Sequence, residues 1–189
     1  LDEDAMGSDS ATALATQQSI KAYVAAQITA EDLDVSSDSG TIAIDLDFHY
    51  DYEIDERQHT SEHIEEMVVN ISEHLKTIFN FDDETFKVFV FEKPDVNRVS
   101  EKKITKDGVH IVIGINLDRR LQEKLREMVL TKINVLLEQK EFWMDLPNIL
   151  NDKKWNDVID NSITTGSTNW QLLGSQKPEC DRYEIAYGY

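Results

Sequence analysis

Asp45 and Asp47 stand two residues apart in the segment IAIDLDFHY, residues 42–50. Thr41 through Phe48 alternates with the period of a half-buried strand. Ile42, Ile44, Leu46 and Phe48 point to one face, and Ala43, Asp45 and Asp47 to the other. Two carboxylates at i and i+2 on one face of a buried strand repel each other and lose hydration unless a cation lies between them. A pair of divalent ions roughly 4 Å apart would remove that penalty and bring chemistry with it. The alternative is a strand end where both acids are merely solvated.

Two later segments carry residues of matching chemistry. In GVHIVIGI, residues 108–115, Val109, Ile111, Ile113 and Ile115 share one strand face and His110, Val112 and Gly114 the other. His110 follows Gly108 and a long loop over residues 92–107 with Lys93, Arg98, Lys102, Lys103 and Lys106, a setting suited to gripping phosphate. A half-buried structural histidine is the other reading. In WNDVIDNSI, residues 155–163, Asp160 sits among apolar residues in a short extended piece. NWQLLGSQKP, residues 169–178, offers a strand and a Gly-Ser turn that leads to Lys177. His59 and His63 are four apart and could share a metal at a helix end. No third ligand is apparent nearby, and the surrounding acids make a solvated helix start more natural.

The elements that must position these residues follow from periodicity. Residues 1–9 are small, acidic and expected to be disordered. Residues 10–29 read as a helix rich in Ala and Gln, with Ile20, Tyr23, Val24 and Ile28 on one face, and residues 31–40 as a loop. Ser61, Ile64, Met67, Val68, Ile71, Leu75 and Ile78 define an amphipathic helix over about residues 60–79. A strand is expected at 86–91 and a helix at 118–140, with Leu121, Leu125, Met128, Val129, Ile133 and Leu136 inward and Arg119, Arg120, Lys124 and Arg126 largely outward. Pro147 breaks the next segment, and RYEIAY, residues 182–187, reads as a final strand.

Composition bounds the partners. A hydrophobic content of 40% over 189 residues is that of a soluble globular protein with a real core. Cys180 is the one cysteine, so an intrachain disulfide is excluded and a reducing, intracellular setting is expected. No apolar run reaches the length of a membrane span, and no partner membrane is expected. The chain begins at a leucine and is expected to be a piece of something longer. Its formal charge of −18 argues against nucleic acid at first sight, but the charge is unevenly spread. Residues 1–86 hold 21 acids and 3 bases, residues 133–189 hold 9 and 5, and residues 87–132 hold 7 acids and 11 bases. The middle is thus a candidate phosphate-facing surface, or simply a solvated helix and loop. No G-x-x-x-x-G-K-[ST] phosphate loop is present, which excludes an ATPase of that kind in this chain.

A hydrophobic strand ending D-L-D, a G-V-H strand after a lysine-rich loop, and a V-I-D segment follow one another in order. That order resembles the three motifs of the archaeo-eukaryotic primase superfamily. KDGVHIVI, VIDNSI and NWQLLGSQKP further resemble the primase domain of the helicase–primases of nucleocytoplasmic large DNA viruses, over roughly residues 41–189. The resemblance implies an α/β (α+β) fold with a catalytic sheet like that of an RNA-recognition motif, flanking helices and an added α/β unit. Residues 41–189 would be the catalytic domain and residues 1–40 an N-terminal tail and helix. It implies Asp45, Asp47 and Asp160 as the acidic triad holding two divalent ions, Mg²⁺ or Mn²⁺. His110, with Gly108 before it, would contact the incoming nucleotide, assisted by Lys106 and Lys177. Many superfamily members carry an arginine after the third acid, where this chain has Trp170 and Gln171; Lys177 is the substitute cation.

The expected activity is primer synthesis by nucleotidyl transfer. The expected partners are a single-stranded DNA template, nucleoside triphosphates and a helicase region C-terminal to this piece in the same polyprotein chain. The expected location is a viral replication site in the cytoplasm or nucleus. A two-metal phosphodiesterase or nuclease would use the same residues, and a non-catalytic module of a replication protein could retain them as structure.

Overall fold

The computed structural model describes residues 39–79, 86–139, 143, 155–164, 170–178 and 180–189. The expected N-terminal tail, the helix at 10–29, most of the loop at 31–40 and the break at Pro147 lie outside the described residues. In chain order the elements are β1 (Ser39–Asp51), α1 (Ser61–Ile78), β2 (Val88–Glu92), β3 (Asn97–Val99), β4 (Ile104–Asp118), α2 (Arg119–Gln139), α3 (Trp155–Val158), α4 (Asn161–Thr164) and β5 (Glu184–Gly188). The strands form one antiparallel sheet ordered β1-β4-β2-β5, with β3 paired to β4. Since β4 runs antiparallel to both β1 and β2, those two are parallel and α1 crosses between them, a split β-α-β arrangement. After α2 the chain returns to β1, where Ile159 bridges Leu46.

The alternation in β1 does what its pattern demands. Ile42, Leu46, Phe48 and Tyr50 are buried on the helix side with Val90, Val109, Ile111 and Ile113. From α1 come Ile64, Met67, Ile71 and Leu75, and from α2 Leu125, Val129 and Ile133. Each such side chain contributes roughly 1.5–3 kcal/mol by leaving water. On the opposite face a smaller cluster forms from Phe91, Val112 and Tyr183, with Phe89, Trp170 and Leu173 against it.

Five expectations need correction. Residues 92–107 are a β-hairpin in large part, because β3 pairs with the start of β4. Its lysines disguise the alternation, and Thr105 and Asp107 are the buried positions. The piece at 155–163 is two helical turns around a single bridging residue, Ile159, and residues 170–178 form an irregular turn without a strand. In α2, Gln122 takes the inward place expected of Leu121, donating from its amide to the Gly40 and Leu117 carbonyls, while Leu121 is exposed. Arg126 turns inward instead of outward, donating to the Ile159 and Asn156 carbonyls.

Beneath the sheet end lies a buried charge cluster. Arg57 grips both oxygens of Asp107 at 3.0 Å and reaches Glu92 Oε2 at 2.8 Å. His59 Nε2 donates to Glu92 Oε1 at 2.8 Å, and His63 Nδ1 accepts the Thr60 N–H. The two histidines thus hold separate partners, Glu92 and the Thr60 backbone. Asp107 and Glu92 are nearly inaccessible, so removing their guanidinium would strand two buried carboxylates. Arg57→Met is therefore expected to destabilise the fold by about 3–5 kcal/mol in urea unfolding at pH 7. A loss under about 1 kcal/mol would mean that the cluster is effectively solvated.

Candidate active site

Three cross-strand pairs build the floor of the site. Asp45 faces His110, Asp47 faces Gly108, and His49 faces Lys106 across β1 and β4. All point away from the helices, and directly opposed residues hold their Cβ atoms about 4.5–5.5 Å apart. A cleft of about 230 Å³ opens on this face. Asp45, Asp47, Lys106, Gly108, His110, Asp160 and Lys177, the seven residues singled out from sequence, all line it.

Asp160 is brought in by the return of the chain to β1. Its N–H donates to the Asp45 carbonyl at 2.9 Å, and Arg126 secures the preceding carbonyls from α2. Its carboxylate accepts the N–H and hydroxyl of Ser162 at 2.8 and 2.7 Å, capping the turn that follows. The capping role was not legible as such, although D-x-S at a helix start is its usual signature.

The charges are unequal. Burial alone would raise Asp47, but the hydrogen bond from His49 and the Lys106 ammonium at 3.0 Å outweigh it and hold its carboxyl below the usual value. Burial, reinforced by the charges of Asp47 and Asp160, pushes Asp45 up to about 7. The Trp170 indole N–H and Lys177 pull weakly the other way. That N–H is buried and completes no hydrogen bond of good geometry among the described residues. Burial pushes the His110 imidazole down to about 3, against the opposing effect of the Gln171 carbonyl 2.8 Å from its Nδ1. A carbonyl only accepts, so the single proton of the neutral ring sits on Nδ1. Nε2 then offers a lone pair to the cleft, 3.5 Å from Asp45 Oδ1.

Sequence reasoning missed the residues that hold His110. Tyr183 stacks on its ring at 3.8 Å and Trp170 lies at 4.4 Å. Trp170 and Gln171 are the two residues that depart from the superfamily's arginine, and here they fix the histidine. Tyr183 carried no signal and His49 did not stand out, while Lys93, named with the lysines of the loop before His110, lines the cleft. Gly108 has a steric reason as well: a Cβ there would stand 2.7 Å from Tyr183 Oη.

The donor set suits hard divalent cations, because Asp45 is buried beside two like charges without a compensating cation of its own. Among the described residues no three His, Cys, Asp or Glu side chains already converge as metal ligands. Lys106 on Asp47 and Ser162 on Asp160 occupy the oxygens that a metal would use.

The chain is thus a mixed α/β domain with helices on one face of its sheet and an acid-and-lysine cleft on the other. The family described as the N-terminal AEP domain of the C962R protein matches residues 16–189, so this chain belongs to it and is an archaeo-eukaryotic primase domain. No curated protein matches the chain significantly. Among the described residues no helix is long and apolar enough to cross a membrane.

Two outcomes follow from the geometry. Asp45 has a folded value near 7 against 3.8 unperturbed, so the native state loses stability as pH rises from about 4 to about 7. Asp45→Asn removes that loss. In metal-free buffer it should be more stable than wild type at pH 8 by on the order of 2 kcal/mol, below the roughly 4 kcal/mol of the full shift because the amide is itself buried. At pH 3.5 the sign should reverse, because the cost of burying the amide remains and wild type no longer carries a buried charge; a pH-independent difference would contradict the coupling. Second, Gly108→Ala should destabilise by about 1–3 kcal/mol in wild type. It should be nearly neutral in Tyr183→Phe, where the next ring atom is 3.9 Å away. A double-mutant cycle with no coupling would refute the steric account.

Proposed function

We propose that this domain catalyses template-directed nucleotidyl transfer on DNA, making primers for replication of a viral genome. The observation that supports this most is the polarity of the cleft. Asp45, Asp47 and Asp160 lie along its β1 side, and lysines enter from β4 and from the turn after Gly174. The order β1-α1-β2-β4-α2, with Ile159 returning to the free edge of β1, supports a sheet of the RNA-recognition-motif type.

Asp45, Asp47 and Asp160 would hold two divalent ions, Mg²⁺ or Mn²⁺. When bound, such ions lower the pKa of an attacking 3′-hydroxyl and offset charge on the triphosphate and its leaving group. The chain's own part is placement. Lys177 presents an ammonium to the phosphates after a turn in which Gly174, at φ 73°, takes a conformation that side chains resist. Lys106 neutralises Asp47 in this structure, and would be free to turn toward phosphate only if a metal took its place on that acid. Gly108 keeps the floor low enough for Tyr183 to lie over it. His110, clamped between aromatic rings and Gln171, forms a fixed wall of the nucleotide pocket.

The natural partners are then single-stranded DNA, nucleoside triphosphates and a helicase region further along the same polyprotein chain. With a formal charge of −18, this domain should bind template weakly and with steep salt dependence when alone. The test is incubation with a primed or unprimed DNA template, labelled nucleotides and Mn²⁺. Elongated product supports the proposal, shortened template would indicate a nuclease, and neither would indicate a non-catalytic module. Asp45→Asn and Asp47→Asn should each lower incorporation by at least about a thousandfold while the protein stays folded by circular dichroism. Wild-type turnover by the folded double variant would remove the acids from the site.

A further inference from the structure

The cleft has more phosphate-directed charge to provide than its first-named residues can supply. His110 Nδ1 is engaged by the Gln171 carbonyl at 2.8 Å, and its ring is held between Tyr183 and Trp170. Lys106 is bound at 3.0 Å to Asp47. Of the cations first singled out from sequence, Lys177 is the one that no carboxylate holds in this structure among the described residues. Lys93 is the other lysine lining the cleft. Its Nζ lies 5.1 Å from the centre of the Tyr183 ring, the same ring that stacks on His110. Among the described residues neither Lys93 nor Lys177 has a carboxylate within ion-pair distance, in a cleft rich in carboxylates.

The position of Lys93 is not left to a loose loop. It is the first residue after β2, in the four-residue link to β3 that runs along the edge of β4. Its carbonyl accepts a hydrogen bond from Arg57 Nη2 at 2.8 Å. The same guanidinium grips Asp107 and Glu92, the residue just before Lys93. The buried cluster therefore anchors the backbone from which this ammonium reaches the cleft. A cation held over an aromatic face and lacking a counter-ion keeps its charge available for a ligand.

We propose that Lys93 binds the triphosphate of the incoming nucleotide, held in place by the Arg57 cluster and paired across the cleft with Lys177. This rests on the nucleotidyl-transfer reading of the same site. Phosphate could also reach Lys93 from a DNA backbone. The triphosphate is favoured because Lys93 shares the cleft with His110 and the acids instead of standing on the exposed β3–β4 turn with Lys102 and Lys103.

The test is equilibrium binding of a non-hydrolysable nucleoside triphosphate, the matching monophosphate and a single-stranded oligonucleotide, each with Mn²⁺, to the wild-type chain, Lys93→Ala and Lys93→Arg. Lys93→Ala should weaken triphosphate binding about ten- to a hundredfold, and monophosphate and oligonucleotide binding less than about threefold. Lys93→Arg should restore most of the triphosphate affinity, and thermal melting should be unchanged in both. Equal weakening of triphosphate and monophosphate, or weakening confined to the oligonucleotide, would overturn the assignment. So would unchanged triphosphate binding in Lys93→Ala, with the reading of the site left standing. A wild-type chain that binds no triphosphate would overturn that reading and this inference together.

Discussion

The arrangement depends on a single electrostatic constraint: carboxylates brought out of water on one face of a sheet. Asp45 and Asp47 share that face because a strand repeats every two residues, and Asp160 joins them because its segment bridges back to Leu46. The structure answers the constraint unevenly. Asp47 is neutralised from within by Lys106 and His49. Among the described residues Asp45 has His110 beside it and the weak pull of the Trp170 indole and Lys177. One acid of this face is thus held by an ammonium while its neighbour has none within ion-pair distance.

The rest of the face is shaped around keeping this arrangement rigid. His110 is locked by a backbone carbonyl and two aromatic rings, and one of those rings requires a glycine beneath it. The buried cluster of Arg57, His59, Glu92 and Asp107 performs a related task on the helix side. It ties the loop before α1 to the ends of β2 and β4, where the cleft opens. Buried ion pairs add little net stability compared with apolar packing, but they specify geometry when every partner is satisfied. Arg57 also fixes the Lys93 carbonyl, so the buried cluster sets where the chain leaves β2 for the cleft.

Much of this was legible in the residues. The alternation of Thr41–Phe48 set the strand and the shared face of its acids, and the periodicity of Ile64, Met67, Ile71 and Leu75 set the helix that covers the other face. Asp45, Asp47 and His110 share the cleft because their two strands alternate and pair as the patterns require. What was hidden involved contacts distant in sequence. Glu92 and Asp107 read as loop acids, since nothing local reveals Arg57, 35 and 50 residues away. The β3–β4 hairpin was masked by lysines at exposed strand positions. At 155–163 the apolar residues suggested an extended piece, but the capping of Asp160 by Ser162 and the grip of Arg126 on two carbonyls favour helical turns. Tyr183 could not be connected to Gly108 before the fold placed one over the other.

The most direct measurement is a crystal structure of the 189-residue chain with a non-hydrolysable nucleoside triphosphate and Mn²⁺, the metal located by anomalous diffraction. The expected result is manganese ligated by Asp45, Asp47 and Asp160, Lys106 moved off Asp47, and the triphosphate directed toward the lysine side of the cleft. Manganese bound elsewhere, or a triphosphate seated away from these three acids, would contradict the assignment of this cleft as the site of nucleotidyl transfer.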